Sequence, residues 1–311
     1  MRTSVFIAIS FFALLPVGAV AQTSAPIKVS AEFQSDVAQL AARGLRLKEA
    51  VEASLEANAR HLAAIFEQAK PKGLSESFEF RIIEFDGRAR KTIFRRAEFF
   101  FSFSGAGELA RLNATDINGD GLKEIILQSS SGGNCWSCNP IEIYRVRNSK
   151  VELVAAAPIQ RIVDLNGDGS MELVVADSRW ENYGDLSHAA APFALVVYSW
   201  RNGQYVYAAR DFAAFYRGEA DRLRAAIAEA RAEITADEFS DEVYVGRAMA
   251  LAITYAHAGE IDRGLRELEA LLGSDARSPA QAKRRQAILE DFRNGESAKK
   301  LRQMKYGEPI S

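Results

Sequence analysis

The chain has 311 residues, of which 48% are hydrophobic and 26% charged, which excludes a wholly disordered chain, a collagen-like fibre and a polytopic membrane protein. Its 39 basic and 41 acidic residues nearly balance, so a dedicated nucleic-acid binder is not expected. Two cysteines and three histidines are too few for zinc clusters or iron–sulfur centres.

Residues 1–21 have the layout of a secretory signal peptide. Arg2 supplies positive charge, residues 5–20 are an apolar run, and Ala19-Val20-Ala21 is a small-x-small cleavage site. The alternative is a membrane anchor, but the run is shorter than the roughly 20 residues of a span. No later stretch is long and apolar enough to span. We therefore expect cleavage after Ala21 and a periplasmic or secreted protein, in a compartment with calcium and oxidised thiols.

Residues 22–75 are predicted to form an N-terminal helical segment. Apolar residues recur in steps of three and four from Ala31 to Ala69, which is the period of one amphipathic helix or of two helices parted near Gly44. Because the polar face mixes both charge signs, the helix is expected to pack on the next domain and not on a membrane.

Residues 76–210 are predicted to form an antiparallel β domain, because the hydrophobic period becomes two from Phe78 onward. Asp86-Gly87 and Asn202-Gly203 are hairpin signals within it. The predicted strands are Phe78–Phe85, Thr92–Phe103, Glu124–Gln128, Ile141–Val146, Val151–Ala155, Glu172–Ala176, Phe193–Trp200 and Tyr205–Ala209.

An internal repeat lies in this domain, since residues 114–127 resemble residues 162–175. A period of about fifty residues built of short strands is typical of propeller blades or similar sheet modules. Each copy holds the loop Asp-x-Asn-Gly-Asp-Gly-x-x-Glu. Oxygens at positions 1, 3 and 5 converge, position 6 bends the chain, position 7 offers a carbonyl and position 9 a carboxylate. Such hard ligands suit calcium, while magnesium needs a tighter octahedron.

An EF-hand is excluded, because its position 12 needs a glutamate and this chain has Leu127 and Val175 there, within predicted strands. The loops and the strands after them resemble the FG-GAP/VCBS repeat, the calcium loop of integrin α-subunit propellers and of many secreted bacterial proteins. The resemblance covers Leu109–Ala209 and implies two structural Ca²⁺ ions. The ligands that it implies are Asp116, Asn118, Asp120, the Leu122 carbonyl and Glu124 in the first loop, and Asp164, Asn166, Asp168, the Ser170 carbonyl and Glu172 in the second.

The number of repeat copies differs from that of a closed propeller. The two loops and the Phe78–Phe103 hairpin give at most about three blades, and a closed propeller needs four or more. The sheet is therefore predicted either to stay open and be capped by helices, or to be completed by blades that pair between chains, as an oligomer. The alternative for the loops themselves is an Asx-rich turn without metal.

Cys135 and Cys138 lie in an insertion between two strands of the first copy. Because Asn139-Pro140 and a strand follow, no helix N-terminus is available to lower a thiol pKa as in thioredoxin-type sites. In an exported chain the pair is predicted to form a disulfide, with thiol redox chemistry as the alternative. Trp136 and the matching loop at 179–188 are aromatic and polar, which fits either ligand contact or packing at the edge of the core.

Residues 211–311 return to the helical period and are predicted to form an α-helical bundle or a short solenoid. The stretch from Ala248 to Leu271 resembles one tetratricopeptide unit, with Gly259 at the turn between its two helices. Flanking helices are predicted at about Phe212–Ile234 and Pro279–Phe292. This region either caps the sheet or forms a peptide-binding groove.

The fold class is thus predicted as α+β. No Gly-x-Ser-x-Gly, Walker or Gly-x-Gly-x-x-Gly motif is present, and His61, His188 and His257 have no adjacent nucleophile. The leading hypothesis is an exported, calcium-binding, non-enzymatic binding or scaffold protein of the bacterial envelope, with a protein or glycan partner and no nucleic acid. The alternatives are an exported hydrolase of envelope polymers with its site in the aromatic loops, or a redox protein using Cys135 and Cys138.

Overall fold

The computed structural model describes residues 27–68, 77–184, 186–235, 237–273, 276–303 and 307–310. The predicted signal peptide at 1–21 lies outside these residues. The described chain is mixed α+β, as predicted, with three four-stranded antiparallel sheets between an N-terminal helix and a C-terminal set of helices. None of the helices in the described part combines the length and hydropathy needed to cross a bilayer.

The first sheet follows helix α1 (Ala31–Ala42). Its strands are β1 (Leu45–Ala53), β2 (Arg60–Gln68), β3 (Ser77–Phe85) and β4 (Arg90–Glu98), in the order β1-β2-β3-β4. The helical prediction is therefore right for α1 but wrong for residues 45–68. Since β2 pairs with β3 from Arg60↔Phe85 to Gln68↔Ser77, this sheet spans the predicted domain boundary at residue 75.

Burial explains the error. Residues 62–66 are fully buried, because β2 lies between two strands and is covered on both faces. Leu62, Ala64 and Phe66 pack against α1, and Ala63 and Ile65 face the second sheet. A strand buried on both faces reads as a continuous apolar run, so its period of two is invisible in the sequence. Gly44, with φ of 83°, ends α1 instead of parting two helices.

The second and third sheets correspond to the two copies of the repeat. The second contains β5 (Phe100–Ser102), β6 (Glu124–Ser130), β7 (Ile141–Arg147) and β8 (Lys150–Ala157). The third contains β9 (Ile159–Val163), β10 (Glu172–Ala176), β11 (Leu195–Arg201) and β12 (Gln204–Tyr207). Both are meanders in chain order, and in both the candidate calcium loop joins the first strand to the second.

Two details of the strand prediction change. The predicted strand Thr92–Phe103 is divided between β4 and β5 at the exposed Phe99, where the chain passes from the first sheet to the second. Strand β9 was not predicted. Both hairpin signals are confirmed: β3 and β4 are joined through Asp86-Gly87, and β11 and β12 through Asn202-Gly203, with φ of 51° and 85° as in a type I′ turn.

The three sheets stack face to face in chain order. Apolar residues of the first and second sheets share one core, those of the second and third share another, and no closed ring is formed by the described strands. Helix α1 covers the free face of the first sheet. The predicted open arrangement capped by helices therefore matches the fold, in that a helical element covers each end of the stack.

The C-terminal helices are α2 (Ala213–Ala232), α3 (Glu238–His257), α4 (Ile261–Leu272), α5 (Pro279–Asn294) and α6 (Glu296–Arg302). Helix α3 is central and buried along most of its length. Phe212 and Tyr216 pack on Val197 and Tyr207 of the third sheet. Residues 307–310 return to that sheet and hydrogen-bond to β12, with Ile310 N–H donating to the Tyr205 carbonyl at 2.9 Å.

Candidate metal centre

The first loop, residues 116–124, is folded around the Asp116 carboxylate. Its oxygens accept the backbone N–H groups of Gly119 at 2.8 Å and Gly121 at 2.9 Å. Both glycines have positive φ, of 74° and 86°, which only glycine adopts without strain. The two glycines in the motif are therefore required by the backbone path, which turns the side chains at positions 1, 3 and 5 inward.

Three carboxylates of this loop converge. One oxygen from each of Asp116, Asp120 and Glu124 lies within 4.8 Å of the others. Glu124 begins β6 and is fully buried, and its pKa is raised to about 8 by burial and by the charges of Asp120 and Asp116. Arg145 offsets part of this charge through a 2.7 Å ion pair with Asp120. The arrangement favours a cation, which would relieve the repulsion among the carboxylates.

Asn118 and Leu122 complete the predicted ligand set. Asn118 is buried, accepts the Asp120 N–H at 2.9 Å through its side-chain oxygen, and donates from Nδ2 to Glu124 at 3.1 Å. The N–H of Leu122 donates to Asp120 at 3.0 Å, directly after the bend at Gly121. All five residues predicted for the first site are thus brought into one loop.

The second loop, residues 164–172, repeats these bonds. The Asp164 carboxylate accepts from Gly167 and Gly169, Asn166 accepts from Asp168, and Asp168 accepts from Ser170. The hydrogen bond from the Gly169 N–H is the largest cause that lowers the Asp164 pKa. Glu172 is buried at the start of β10 and burial raises its pKa.

The second loop is looser than the first. Among the described residues, mutual convergence of three carboxylates within 4.8 Å is found in the first loop and not in this one. The Asn166 amide turns to Asp168 at 2.8 Å, whereas Asn118 turns to its glutamate. Asn166 and Asp168 are also exposed, whereas Asn118 is buried and Asp120 half-buried. A cation at the second loop would have to draw the Asn166 and Asp168 side chains inward.

The two loops are in direct contact. Met171 donates its N–H to the Ile117 carbonyl at 2.7 Å, and Ser170 Oγ donates to the Asn118 carbonyl at 3.1 Å. Tyr205 lies behind both loops, where burial and the Glu124 and Glu172 carboxylates raise its pKa. Its hydroxyl donates to the Met171 carbonyl at 3.2 Å. The repeat therefore places both predicted sites on one edge between the second and third sheets.

The donor set fits calcium. It consists of carboxylate, amide and carbonyl oxygens, which are the ligands that Ca²⁺ accepts in flexible geometry. No sulfur or imidazole ligand stands among the ten predicted positions, so a softer transition metal has no preferred donor there.

A second acidic cluster, Glu56, His61 and Glu84, was not predicted. His61 stands on β2, is fully buried, and lies with Nε2 3.4 Å from Glu84. Its Nδ1 accepts the Leu55 N–H at 3.3 Å, so the ring proton belongs on Nε2. An Nε2–H group cannot ligate a metal. The cluster instead joins the first two sheets, because Glu56 accepts the N–H groups of Asn148 and Ser149 in the β7–β8 turn.

The disulfide loop is anchored to the third sheet. Cys135 and Cys138 are joined as a disulfide, with Cα atoms 4.9 Å apart. The buried carboxylate of Glu181 accepts the N–H groups of Trp136 and Ser137, and the Ser137 hydroxyl at 3.1 Å. This one carboxylate therefore fixes the disulfide loop to the segment that follows β10.

The aromatic residues of the loop at 179–188 mainly pack against the C-terminal helices. Trp180 is fully buried and stacks on Phe292 of α5 at 5.7 Å. The Tyr183 hydroxyl donates to Asp291 at 2.7 Å. Both aromatic residues hold the helices to the third sheet, so of the two interpretations of this loop the structure favours packing.

His257 is the last residue of α3 and belongs to a buried hydrogen-bond network that the sequence did not indicate. Its Nε2 lies 3.1 Å from Asp177, and its Nδ1 lies 3.1 Å from the Tyr207 hydroxyl. Asp177 also accepts from Arg179 and from the Trp180 indole. The order is Asp–His–Tyr, but the hydroxyl belongs to a buried tyrosine whose pKa is raised by burial, so no activated nucleophile results.

The chain matches no family model, and neither a curated protein nor a solved structure is significantly similar to it. The FG-GAP/VCBS and tetratricopeptide resemblances therefore stay predictions that rest on the motifs alone.

Proposed function

We propose that this chain is an exported calcium-binding protein of the bacterial envelope, and that it acts as a binding or scaffold protein without catalysis. The observation that carries the proposal is the pair of adjacent Asp-x-Asn-Gly-Asp-Gly-x-x-Glu loops, folded alike and each ending in a buried glutamate. Export rests on the leader-like residues 1–21 and on the cysteine pair.

Calcium would act structurally. The loops join strands at the boundary between the second and third sheets, where their carboxylates repel one another. An ion that binds only the folded state stabilises it by RT ln(1 + [L]/Kd), about 2.7 kcal/mol per site at a hundredfold excess over Kd. For a chain of this size, each kcal/mol raises the melting temperature by about 2 °C.

Melting curves in calcium and in chelator test the proposal. Millimolar calcium is expected to raise the melting temperature by at least about 5 °C over EDTA, and equimolar magnesium by much less. Asp164→Ala should remove about half of this gain, and Asp116→Ala combined with Asp164→Ala nearly all of it.

Asp86→Ala is the matched control, because Asp86 also holds a glycine turn through two backbone N–H groups but stands apart from both loops. It should lower stability equally in calcium and in EDTA. Superimposed wild-type curves in the two conditions would show that the loops are metal-free turns.

A further inference from the structure

A cleft of about 540 Å³ lies beside the disulfide loop, apart from the candidate calcium ligands. Its walls are residues 105–109, Gln128 of β6, the disulfide loop, and the start of β9 with Gln160. We propose that this cleft binds a neutral saccharide through Trp136. The inference rests on the binding role proposed above and names the class of ligand.

Trp136 provides an aromatic surface in the cleft. Its indole is partly exposed and is supported by Phe193, edge to face at 5.1 Å, and by His188 at 5.7 Å. Aromatic rings carry negative charge on their faces. The polarised C–H groups on one face of a pyranose ring are complementary to such a face, which phosphate or carboxylate groups are not.

The polar part of the lining consists mainly of amides. Gln128, Asn134, Asn139 and Gln160 contribute them, and Glu108 is the only carboxylate among the described lining residues. Amide groups both donate and accept hydrogen bonds, as sugar hydroxyls do. Within the described residues the lining includes neither lysine nor arginine, so an anionic ligand meets no permanently charged cation there.

Two of these amides are available to a ligand. Asn139 is used within the loop, where Nδ2 donates to the carbonyls of Gly133 and Cys135. In contrast, the side chains of Gln128 and Asn134 make no hydrogen bond within the described residues. The half-buried Gln128 amide and the exposed Asn134 amide, both beside an aromatic ring, are therefore left to pair with a ligand or with water.

The cleft is held in shape before any ligand binds. The disulfide closes the loop around Trp136, and the buried Glu181 fixes the backbone of Trp136 and Ser137. A preorganised site loses less conformational freedom on binding. The volume lies within the range of small-molecule sites, about 300–1,000 Å³.

Binding of defined tetrasaccharides tests the proposal. Chitotetraose, cellotetraose and maltotetraose are titrated into the mature chain in calcium, with tryptophan fluorescence and saturation-transfer NMR as readouts. At least one is expected to bind and to change the fluorescence. Trp136→Ala and Gln128→Ala should each weaken that binding at least tenfold. Phe239→Ala, which removes a half-exposed aromatic side chain from α3, should leave the affinity unchanged.

The possible results distinguish failure of the saccharide proposal from failure of the calcium proposal. If none of the three sugars binds at millimolar concentration, or if folded Trp136→Ala binds like wild type, the proposal is overturned. Binding of a peptide panel in place of the sugars overturns it as well. Should Trp136→Ala not fold, Gln128→Ala decides, since it removes only a side-chain amide. Sugar binding without any calcium-dependent melting shift would remove the calcium proposal and leave this one standing.

Discussion

His257 shows what a single buried side chain contributes to this fold. The ring joins the end of α3 to Asp177, directly after β10, and to Tyr207 of β12. Burial lowers its pKa, although the Asp177 carboxylate acts in the opposite direction, and Arg179 adds to the lowering. Tyr216 stacks on the same ring at 6.1 Å. A neutral ring fits the bonds, since Nε2–H donates to Asp177 and Nδ1 accepts from Tyr207.

The lowered pKa of His257 predicts that the folded protein loses stability in mild acid. Its folded pKa lies below the unfolded value of about 6.5, so the unfolded state takes up a proton first. Stability is fully present above pH 6.5 and falls as the pH drops from there toward the folded pKa. Urea unfolding between pH 7.5 and 5, in calcium, measures the slope. His257→Gln should be less stable at pH 7.5 but lose less on acidification.

His61 also contributes to the pH dependence of stability, so His257→Gln is not expected to abolish that dependence. Burial also lowers its pKa, so it contributes a slope of the same sign that remains in His257→Gln. The expected result is therefore a reduced slope, and His61→Gln combined with His257→Gln should reduce it further. Identical slopes in wild type and His257→Gln would contradict the assignment.

The turn of each candidate calcium loop could be predicted because its signal is local. The Asp-x-Asn-Gly-Asp spacing and the two glycines reveal the turn, although among the described residues three carboxylates converge in the first loop and not in the second. His61, Asp177 and His257 could not be predicted in their roles. Asp177 and His257 stand 80 positions apart, and tertiary packing alone brings them together. The wrong assignment of residues 45–68 to a helix also concealed that His61 lies in a buried strand.

At the scale of elements, prediction succeeded where a turn or loop has marked residues. The hairpins at Asp86-Gly87 and Asn202-Gly203 were recovered from their turn residues. Strands β2 and β10 are both buried on both faces, but β10 follows a repeat loop that marks its start, whereas β2 follows no such loop and was lost. The missed strand β9 is short and carries the exposed Gln160 and Arg161.

The turn between α3 and α4 supplies a test of the helical hairpin. Gly259 has φ of 83°, and its N–H donates to the Ala256 carbonyl at 3.0 Å. A β-branched residue is strained in this conformation, so Gly259→Val is expected to cost about 1–2 kcal/mol or more. The measurement is urea unfolding followed by circular dichroism.

Gly218→Ala is the matched control. Gly218 is exposed within α2, and a Cβ built on it meets no atom within 4 Å. Alanine there should stabilise the chain by about 0.5–1 kcal/mol, because glycine is the poorer helix former. If Gly259→Val unfolds at the same urea concentration as wild type, the turn does not depend on the left-handed conformation at Gly259.

At the scale of the whole molecule, sheets and helices form one stack in which each layer covers the next. Helix α1 covers the first sheet, α2 packs on the third sheet, and residues 307–310 pair with its edge strand β12. Polar contacts tie the layers as well, through Glu181 to the disulfide loop and Asp177 to His257. The helical region is therefore expected to unfold together with the third sheet and not as a separate unit.

Gly246 is the position at which this coupling can be tested. It stands on α3 against the short helical turn His188–Ala190, and a Cβ there would overlap the Ala190 carbonyl. Gly246→Ala must move α3 away from the third-sheet loop, at an expected cost of about 1–3 kcal/mol. Hydrogen exchange should then speed up both in α3 and in β10 and β11.

Gly264→Ala is the control variant. It crowds the Ala252 carbonyl inside the α3–α4 pair and should speed exchange mainly in those two helices. Unchanged protection of β10 and β11 in Gly246→Ala would show that helices and sheet are energetically independent.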